Sequence, residues 1–454
     1  MVTVDKQALA QALVNMHAAM AASEAADLAR TGKVDAGPCA MEVTAGAEAP
    51  TSSHASTELI CEIEVQSHTG MGLCNTVVEA GAGAGAGTGT GAGTGTDAGA
   101  TQGDPSSLLR DNGDTVISFL GTGSACPSKH RNTSAIHVQL RSSGAGMLLD
   151  AGEGTLGQMQ RLWGPSRWQR QVRELRLVWI SHPHADHHLG LIDVLAARND
   201  MLGRGVSPLV LVAPRSLRVW LEAYQRIDDS CAGAYRIVQS DHLIPPSFRY
   251  RGRGSQSNGA GAGGGAGAGA AAEGAGGAGG GNEDIGEVPQ NHILNQALQE
   301  VGLRQLFNVP VEHCWDAFGL IVDGAAGWRL VYSGDTRPSS ALVRAGAGAT
   351  VLIHEATFED SMTEDAISKR HCTVSEAVDV AQRMGAHRCI LTHFSQRYPA
   401  LAALPPQVAG RVLMAFDLLS VSFRDLQWAA ATTPVMQCLF PAGEGEGEAA
   451  EEGE

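Results

Sequence analysis

The sequence predicts an α/β domain in which helices cover a sheet. Three observations predict it. Short apolar runs, each about four to six residues long, recur between residues 111 and 442 and end in polar or Gly-rich loops. Helical patterns lie between several of these runs, the order expected of helices packed on a sheet. His and Asp stand repeatedly just past the ends of the runs, where such sheets place their sites.

Taken in order, residues 116–120 run into Gly121-Thr122-Gly123, and 147–149 into Asp150-Ala151-Gly152-Glu153-Gly154. Residues 175–180 run into Ser181-His182, and 209–212 precede Ala213-Pro214. Further on, 329–332 lead to Ser333-Gly334-Asp335, 351–353 to His354-Glu355 and 389–391 to Thr392-His393. Each reads as a buried strand. Residues 189–198, 215–226 and 374–384 carry the helical period. Gly121 and Gly123 are expected to let backbone approach the site closely.

The flanking segments are of another kind. Residues 1–110 are poor in large apolar side chains, apart from an Ala-rich stretch over 6–28 that predicts a helix. A Gly/Ala/Thr tract at about 80–100 cannot bury enough side chain to offset its ordering entropy and reads as a disordered linker. The expected organisation is therefore a mostly disordered region over 1–110 and a folded domain over 111–442. That domain carries a disordered Gly/Ala-rich insertion at about 253–290, and an acidic disordered tail follows at 443–454.

Composition excludes several classes. The chain has 454 residues and 57 glycines without a strict triplet repeat, so it is not collagen-like. Nine scattered cysteines with no CxxC pair argue against a disulfide framework or a Cys-based zinc site. They fit reduced thiols inside a cell. No run of 18 to 20 apolar residues is present, so no transmembrane helix and no membrane partner are expected. The N-terminus lacks the pattern of a secretory signal.

The formal charge of −16 points away from nucleic acid until it is divided along the chain. Residues 1–110 carry 4 basic and 12 acidic side chains, and 443–454 carry six Glu and no base. Residues 111–442 hold 28 basic and 30 acidic side chains, and removing 253–290 leaves a core of net charge +1. The acidity belongs to the appendages, and an RNA substrate is not excluded.

The strongest chemical signal is His182-Pro183-His184-Ala185-Asp186-His187-His188. In extended backbone, residues i and i+2 point the same way, so His182 and His184 can grip one ion. Asp186 and His187, at the turn into a helix, can reach a second. Imidazole and carboxylate without thiolate suit zinc, with manganese as a substitute. Two ions need more ligands, and other strand ends supply His313, Asp335 and His393. The natural assignment gives His182, His184 and His313 to one site and Asp186, His187 and His393 to the other. Asp335 bridges them, because a carboxylate has two oxygens. Two ions at such spacing acidify a shared water and clamp a phosphoryl centre.

These residues resemble the metallo-β-lactamase superfamily, and within it the tRNase Z (ribonuclease Z) family. Pro127-Ser128-Lys129-His130-Arg131-Asn132 is similar to that family's PxKxRN loop. His354-Glu355-Ala356-Thr357-Phe358 is similar to its HEAT loop, and His371-Cys372-Thr373 to its HST loop with Cys in place of Ser. The stretch Leu391-Thr392-His393-Phe394-Ser395-Gln396-Arg397-Tyr398 also looks like the family. The likeness covers about 114–426 apart from the Gly/Ala insertion, and is greatest to the C-terminal, catalytic half of the long eukaryotic form.

The resemblance implies an αββα sandwich of two mixed sheets packed face to face with helices outside. It implies a zinc-dependent endoribonuclease, with two Zn²⁺ per chain, that removes the 3′ trailer from precursor tRNA and leaves a 3′-hydroxyl. Asp186 would ligate and orient the attacking water. His371 would protonate the leaving oxygen, held by Glu355. The plainer role for His371 is to cap the helix beginning near Thr373, with Glu355 a surface carboxylate. Lys129 and Arg131 would contact phosphates of the substrate, and Asn132 would order their loop. Phe394 and Tyr398 are candidates for stacking on a base, with core packing the readier role for Phe394. No Gly/Pro-rich arm for the tRNA elbow is recognisable over 189–228, so a homodimer or a separate arm-bearing protein would supply that grip. The implied compartment is nucleus or mitochondrion, or a chloroplast. The rival readings are a thioester or lactone hydrolase of the same superfamily, or a catalytically silent RNA-binding subunit.

Overall fold

The computed structural model describes residues 6–31, 114–203, 208–249, 291–396, 404 and 408–439. The regions expected to be disordered lie outside these residues, apart from the helix Lys6–Thr31, which runs three residues beyond the 6–28 stretch. The chain divides into two units. One is residues 24–101, described only at 24–31; the other holds 1–23 and 102–454 and contains all the strands. No helix among the described residues is long and apolar enough to cross a membrane.

The strands form two mixed sheets. In the first, β1 (Thr115–Gly121), β2 (Ala135–Leu140), β3 (Gly146–Leu149), β4 (Leu175–Trp179), β5 (Leu209–Ala213) and β6 (Tyr235–Gln239) lie in sequence order. In the second, β7 (Leu303–Pro310), β8 (Phe318–Gly324), β9 (Arg329–Tyr332), β10 (Val351–Glu355), β11 (Arg388–Thr392) and β12 (Val412–Met414) do the same. The short β13 (Ser420–Ser422) returns to pair with β1.

Successive strand residues face opposite ways, and each strand therefore builds two cores. Leu177 and Trp179 of β4 enter the layer between the sheets, where Leu320, Tyr332 and Ile353 meet them. Val178 and Ile180 point outward beneath the helices Leu191–Leu202 and Arg215–Tyr224. On the other side Leu352 of β10 packs under Leu342 and the helix Val374–Met384. The result is the αββα sandwich implied by the resemblance. Each large apolar side chain fully buried in it stabilises the fold by about 1.5–3 kcal/mol. A polar tie crosses the inner layer where Trp179 Nε1 donates to Asn308 Oδ1 at 2.9 Å.

The helix Val374–Met384 keeps its expected bounds. It starts with a capping box, in which Thr373 accepts from the Glu376 N–H and Glu376 from the Thr373 N–H. Gly385 ends it in the left-handed conformation, at φ 67°. His371 therefore does not cap this helix; Thr373 does. Strands β3, β4, β7, β9, β10 and β11 all end on one edge of the sandwich, and the candidate ligands lie just past the ends of β4, β7, β9 and β11.

Candidate metal centre

The structure brings together the seven side chains assigned to the metal sites. Ligand-type atoms of His182, His184, His313 and Asp335 all lie within 4.8 Å of one another, and so do those of Asp186, His187 and His393. His182 Nε2 and His313 Nε2 each approach His184 Nδ1 at 3.0 Å, and His187 Nε2 is 3.2 Å from His393 Nε2. A tetrahedral ion bound at about 2.0–2.1 Å holds its ligand atoms about 3.3 Å apart. The nitrogens converge nearly to that spacing, which fits the donor set to zinc.

The far side of four of the five rings explains the convergence. His187 Nδ1 bonds Asp150 Oδ2 at 2.8 Å, His313 Nδ1 donates to the Arg370 carbonyl at 2.9 Å, and His393 Nδ1 meets Thr357 Oγ1 at 2.8 Å. His182 Nδ1 meets Ser181 Oγ at 2.9 Å. Engaging one ring nitrogen fixes orientation and turns the other toward the centre.

Asp335 lies between the two sets. Its Oδ2 is 3.3 Å from His187 Nε2, 3.6 Å from His182 Nε2 and 3.7 Å from His313 Nε2, while Oδ1 is 3.4 Å from His393 Nε2. Oδ1 is buried and accepts no hydrogen bond among the described residues. A buried carboxylate oxygen without a donor is costly unless a cation takes it. Burial pushes the Asp335 pKa up, but His187, His393 and His182 outweigh it and hold the group well below the usual carboxylate range. Asp186 is shifted down likewise, with burial opposed first by His187. Its Oδ2 accepts from the Ala125 N–H at 2.7 Å.

Glu355 is buried, not a surface carboxylate. Its Oε1 accepts from the Thr336 N–H at 2.7 Å and is 3.0 Å from His371 Nδ1; its Oε2 takes the Thr357 hydroxyl at 2.5 Å. Burial opposes the charge on His371, but Glu355 outweighs it and raises the pKa to about 9. His371 Nδ1 is also 3.9 Å from Asp335, so the pair borders the metal sites.

The PxKxRN-like loop divides its residues. Lys129 is exposed. Arg131 turns inward: its Nη1 donates to Thr122 Oγ1 at 2.6 Å and to the Ala415 carbonyl at 3.0 Å, and its guanidinium lies 4.5 Å over the Phe394 ring. Phe394 is thus buried packing, and Tyr398 lies outside the described residues. Asn132 orders the loop, with Nδ2 donating to the Glu153 carbonyl at 2.8 Å. Gly121 serves this loop and not the metal sites, because a Cβ there would stand 1.8 Å from the Thr133 carbonyl oxygen.

One residue has no sequence signal. Asp417 accepts from the Thr122 N–H, the Asn132 N–H and Gln158 Nε2, tying the loop to β1. Nothing in its local sequence marks it. Asp150, whose place in a Gly-rich turn past a strand suggests a structural role or one behind the ligands, receives Ser181 N–H and Oγ and the Tyr332 hydroxyl besides His187.

A family model described as "Beta-lactamase superfamily domain" matches residues 294–394, and one described as "Anti-Pycsar protein Apyc1" matches 115–222. The chain is 39% identical over 348 residues to "tRNAse Z TRZ4, mitochondrial" of Arabidopsis thaliana, a match covering 74% of this chain and 37% of that one. It is 37% identical over 327 residues to "Zinc phosphodiesterase ELAC protein 2" of Homo sapiens, covering 71% and 35%. A crystal structure of a long form RNase Z from yeast superposes with a TM-score of 0.57 at 25% identity, covering 72% of this chain and 43% of that one. The chain spans little more than a third of the length of these curated relatives. With a β-lactamase superfamily model on its second sheet and identities of 37–39% over about seven-tenths of its length, the chain has the metallo-β-lactamase fold and is similar over that stretch to tRNase Z proteins.

Proposed function

We propose that the chain is a zinc-dependent endoribonuclease that removes the 3′ trailer from precursor tRNA. The observation that carries this reading is Asp335 between two convergent ligand sets, beside the buried Glu355–His371 pair. His182, His184 and His313 would hold one ion, Asp186, His187 and His393 the other, and Asp335 would reach both. Two zinc ions, or manganese in their place, would acidify a water and neutralise the phosphoryl oxygens.

The chain's own groups do the rest. Asp186, with one oxygen fixed by Ala125, orients the attacking water with the other. Water attacks the phosphorus 3′ of the discriminator nucleotide, and the bond from phosphorus to the ribose O3′ breaks. His371, protonated at neutral pH, gives its proton to that O3′, leaving a tRNA 3′-hydroxyl and a trailer 5′-phosphate. Glu355 holds the His371 ring by Nδ1, which aims Nε2 outward. Lys129 meets a substrate phosphate, and Asn132 keeps the loop in place. For Arg131 a supporting role under that loop fits better than a phosphate contact. A second copy or an arm-bearing protein supplies the grip on the elbow. The proposed compartment is nucleus or mitochondrion, the latter supported by the name of the plant relative.

Zinc-loaded full chain should cleave a precursor tRNA at the trailer junction, and Asp186→Ala should lose that activity while keeping its fold. Thioester or lactone hydrolysis without RNA cleavage would overturn the reading, and so would full RNA cleavage by Asp186→Ala.

A further inference from the structure

The helices Thr155–Trp163 and Trp168–Arg173 carry a second feature that the metal chemistry does not use. Arg161, Arg167, Arg170 and Arg173 are all exposed. Among the described residues none of the four forms an ion pair. The nearby Glu174 is engaged by Arg176 at 2.9 Å, and Arg176 turns its Nε to Glu300 at 2.8 Å.

The spacing explains how the face arises. Val172 is buried and Trp168 packs partly buried against the outer core of the first sheet. Positions 167, 170 and 173, three apart, then share the opposite side. Arg170 lies over Gly144, in the turn between β2 and β3 that also exposes Arg141. Like charges at this spacing oppose helix formation. The domain core is nearly neutral by sequence, so an unneutralised cluster of guanidinium groups is a local excess suited to a polyanion.

Its place relative to the metal centre names the polyanion. The helix Thr155–Trp163 starts two residues after Glu153, whose carbonyl holds Asn132 in the loop of Lys129. It runs away from the site, and the second helix delivers the chain to the start of β4, the end opposite His182. Arg161 is about 9 Å along the helix from Thr155, and the start of β4 is about 16 Å from its metal-bearing end. RNA with its scissile end at the metals and Lys129 has this track beside its backbone.

We propose that Arg161, Arg167, Arg170 and Arg173 form a phosphate-binding strip that holds the double-stranded body of the substrate RNA. The inference rests on the reading of the chain as a tRNA-processing nuclease. The strip contacts backbone and not bases, the mode suited to duplex RNA.

The test is binding of labelled mature tRNA and precursor tRNA to the full chain across a salt series, by fluorescence anisotropy. Arg167→Gln/Arg170→Gln/Arg173→Gln should raise Kd about tenfold or more at low salt. It should also flatten the log Kd–log salt slope by about two to three, because each phosphate contact contributes about 0.7–0.9. Mature tRNA should lose as much as precursor, since the strip holds the body and not the trailer. The triple Arg→Lys variant should restore most of the slope, and thermal melting of both variants should match the parent. Unchanged Kd and slope in the Gln variant overturn the strip, as does loss confined to precursor or failure of the parent to bind tRNA. A parent that binds tRNA but leaves the trailer uncut overturns the catalytic reading and leaves the strip standing.

Discussion

At the scale of residues, the centre depends on groups that never face a metal. Asp150 has φ 58°, a backbone that Asn also tolerates. Its carboxylate accepts the Nδ1–H of His187, so His187 presents a lone pair on Nε2. Asp150→Asn places an amide there; where its NH₂ faces the ring, the proton moves to Nε2 and the lone pair is lost. Zinc affinity at the second site should fall about 10–100-fold, read by competition with a coloured chelator. Unchanged affinity would refute the role. His137 of β2 makes the opposite point. Its ring is buried edge-on to Trp163, its Nε2 has no partner among the described residues, and burial lowers its pKa to about 4. The unfolded chain takes up this proton near pH 6.5 and the folded chain does not, so stability falls as pH drops below about 6.5. Between pH 7 and 5 the loss is about 2 kcal/mol. In His137→Leu, urea unfolding at the two pH values should show a pH difference smaller by about that amount, and an equal difference would sink the assignment.

At the scale of elements, the parallel strands were legible because both faces are buried and they read as continuous apolar runs. β9 and the helix Val374–Met384 keep the bounds expected of them. β7 was not legible: it mixes Arg304, Gln305 and Asn308 with its apolar residues, and Asn308 is buried only because Trp179 and Ser240 satisfy it. β8 is interrupted by Gly319 and carries Asp323, which Arg329 neutralises and Gln305 hydrogen-bonds from neighbouring strands. The ligands were legible because they crowd just past strand ends. The inward turn of Arg131 was not, because its partners Ala415 and Asp417 are remote in sequence. The loop after β3 shows how such an element constrains the site. A Cβ on Gly152 would lie 2.2 Å from the Asp186 carbonyl oxygen and 2.3 Å from Thr133 Oγ1. Gly152→Ala must therefore displace the turn that holds Asp186 and His187. We expect a loss of about 1–3 kcal/mol in stability, with reduced zinc content by elemental analysis. Full zinc content in a variant of parental stability would contradict the packing argument.

At the scale of the whole molecule, the two sheets repeat one plan. β1 to β3 pair antiparallel and β3 to β6 parallel; β7 to β9 pair antiparallel and β9 to β12 parallel. Corresponding strand ends therefore meet at one edge, with Asp150 after β3 and Asp335 after β9, His182 after β4 and Glu355 ending β10. Each ligand set draws on both sheets: His182 and His184 join His313, and Asp186 and His187 join His393. Ions bound there would link the halves of the sandwich, and would bind the folded state far better than the unfolded chain. Each site held at 100 times its Kd adds about 2.7 kcal/mol of stability. At about 2–4 °C per kcal/mol for a domain of this size, stripping both ions with a chelator should lower the melting temperature by roughly 10–20 °C. Added zinc should restore it, and should restore it less in Asp335→Asn, which loses a negative charge shared by both sites. A melting temperature indifferent to chelator would mean that the strand ends hold their geometry without metal, and that the unpaired oxygen of Asp335 is not awaiting a cation.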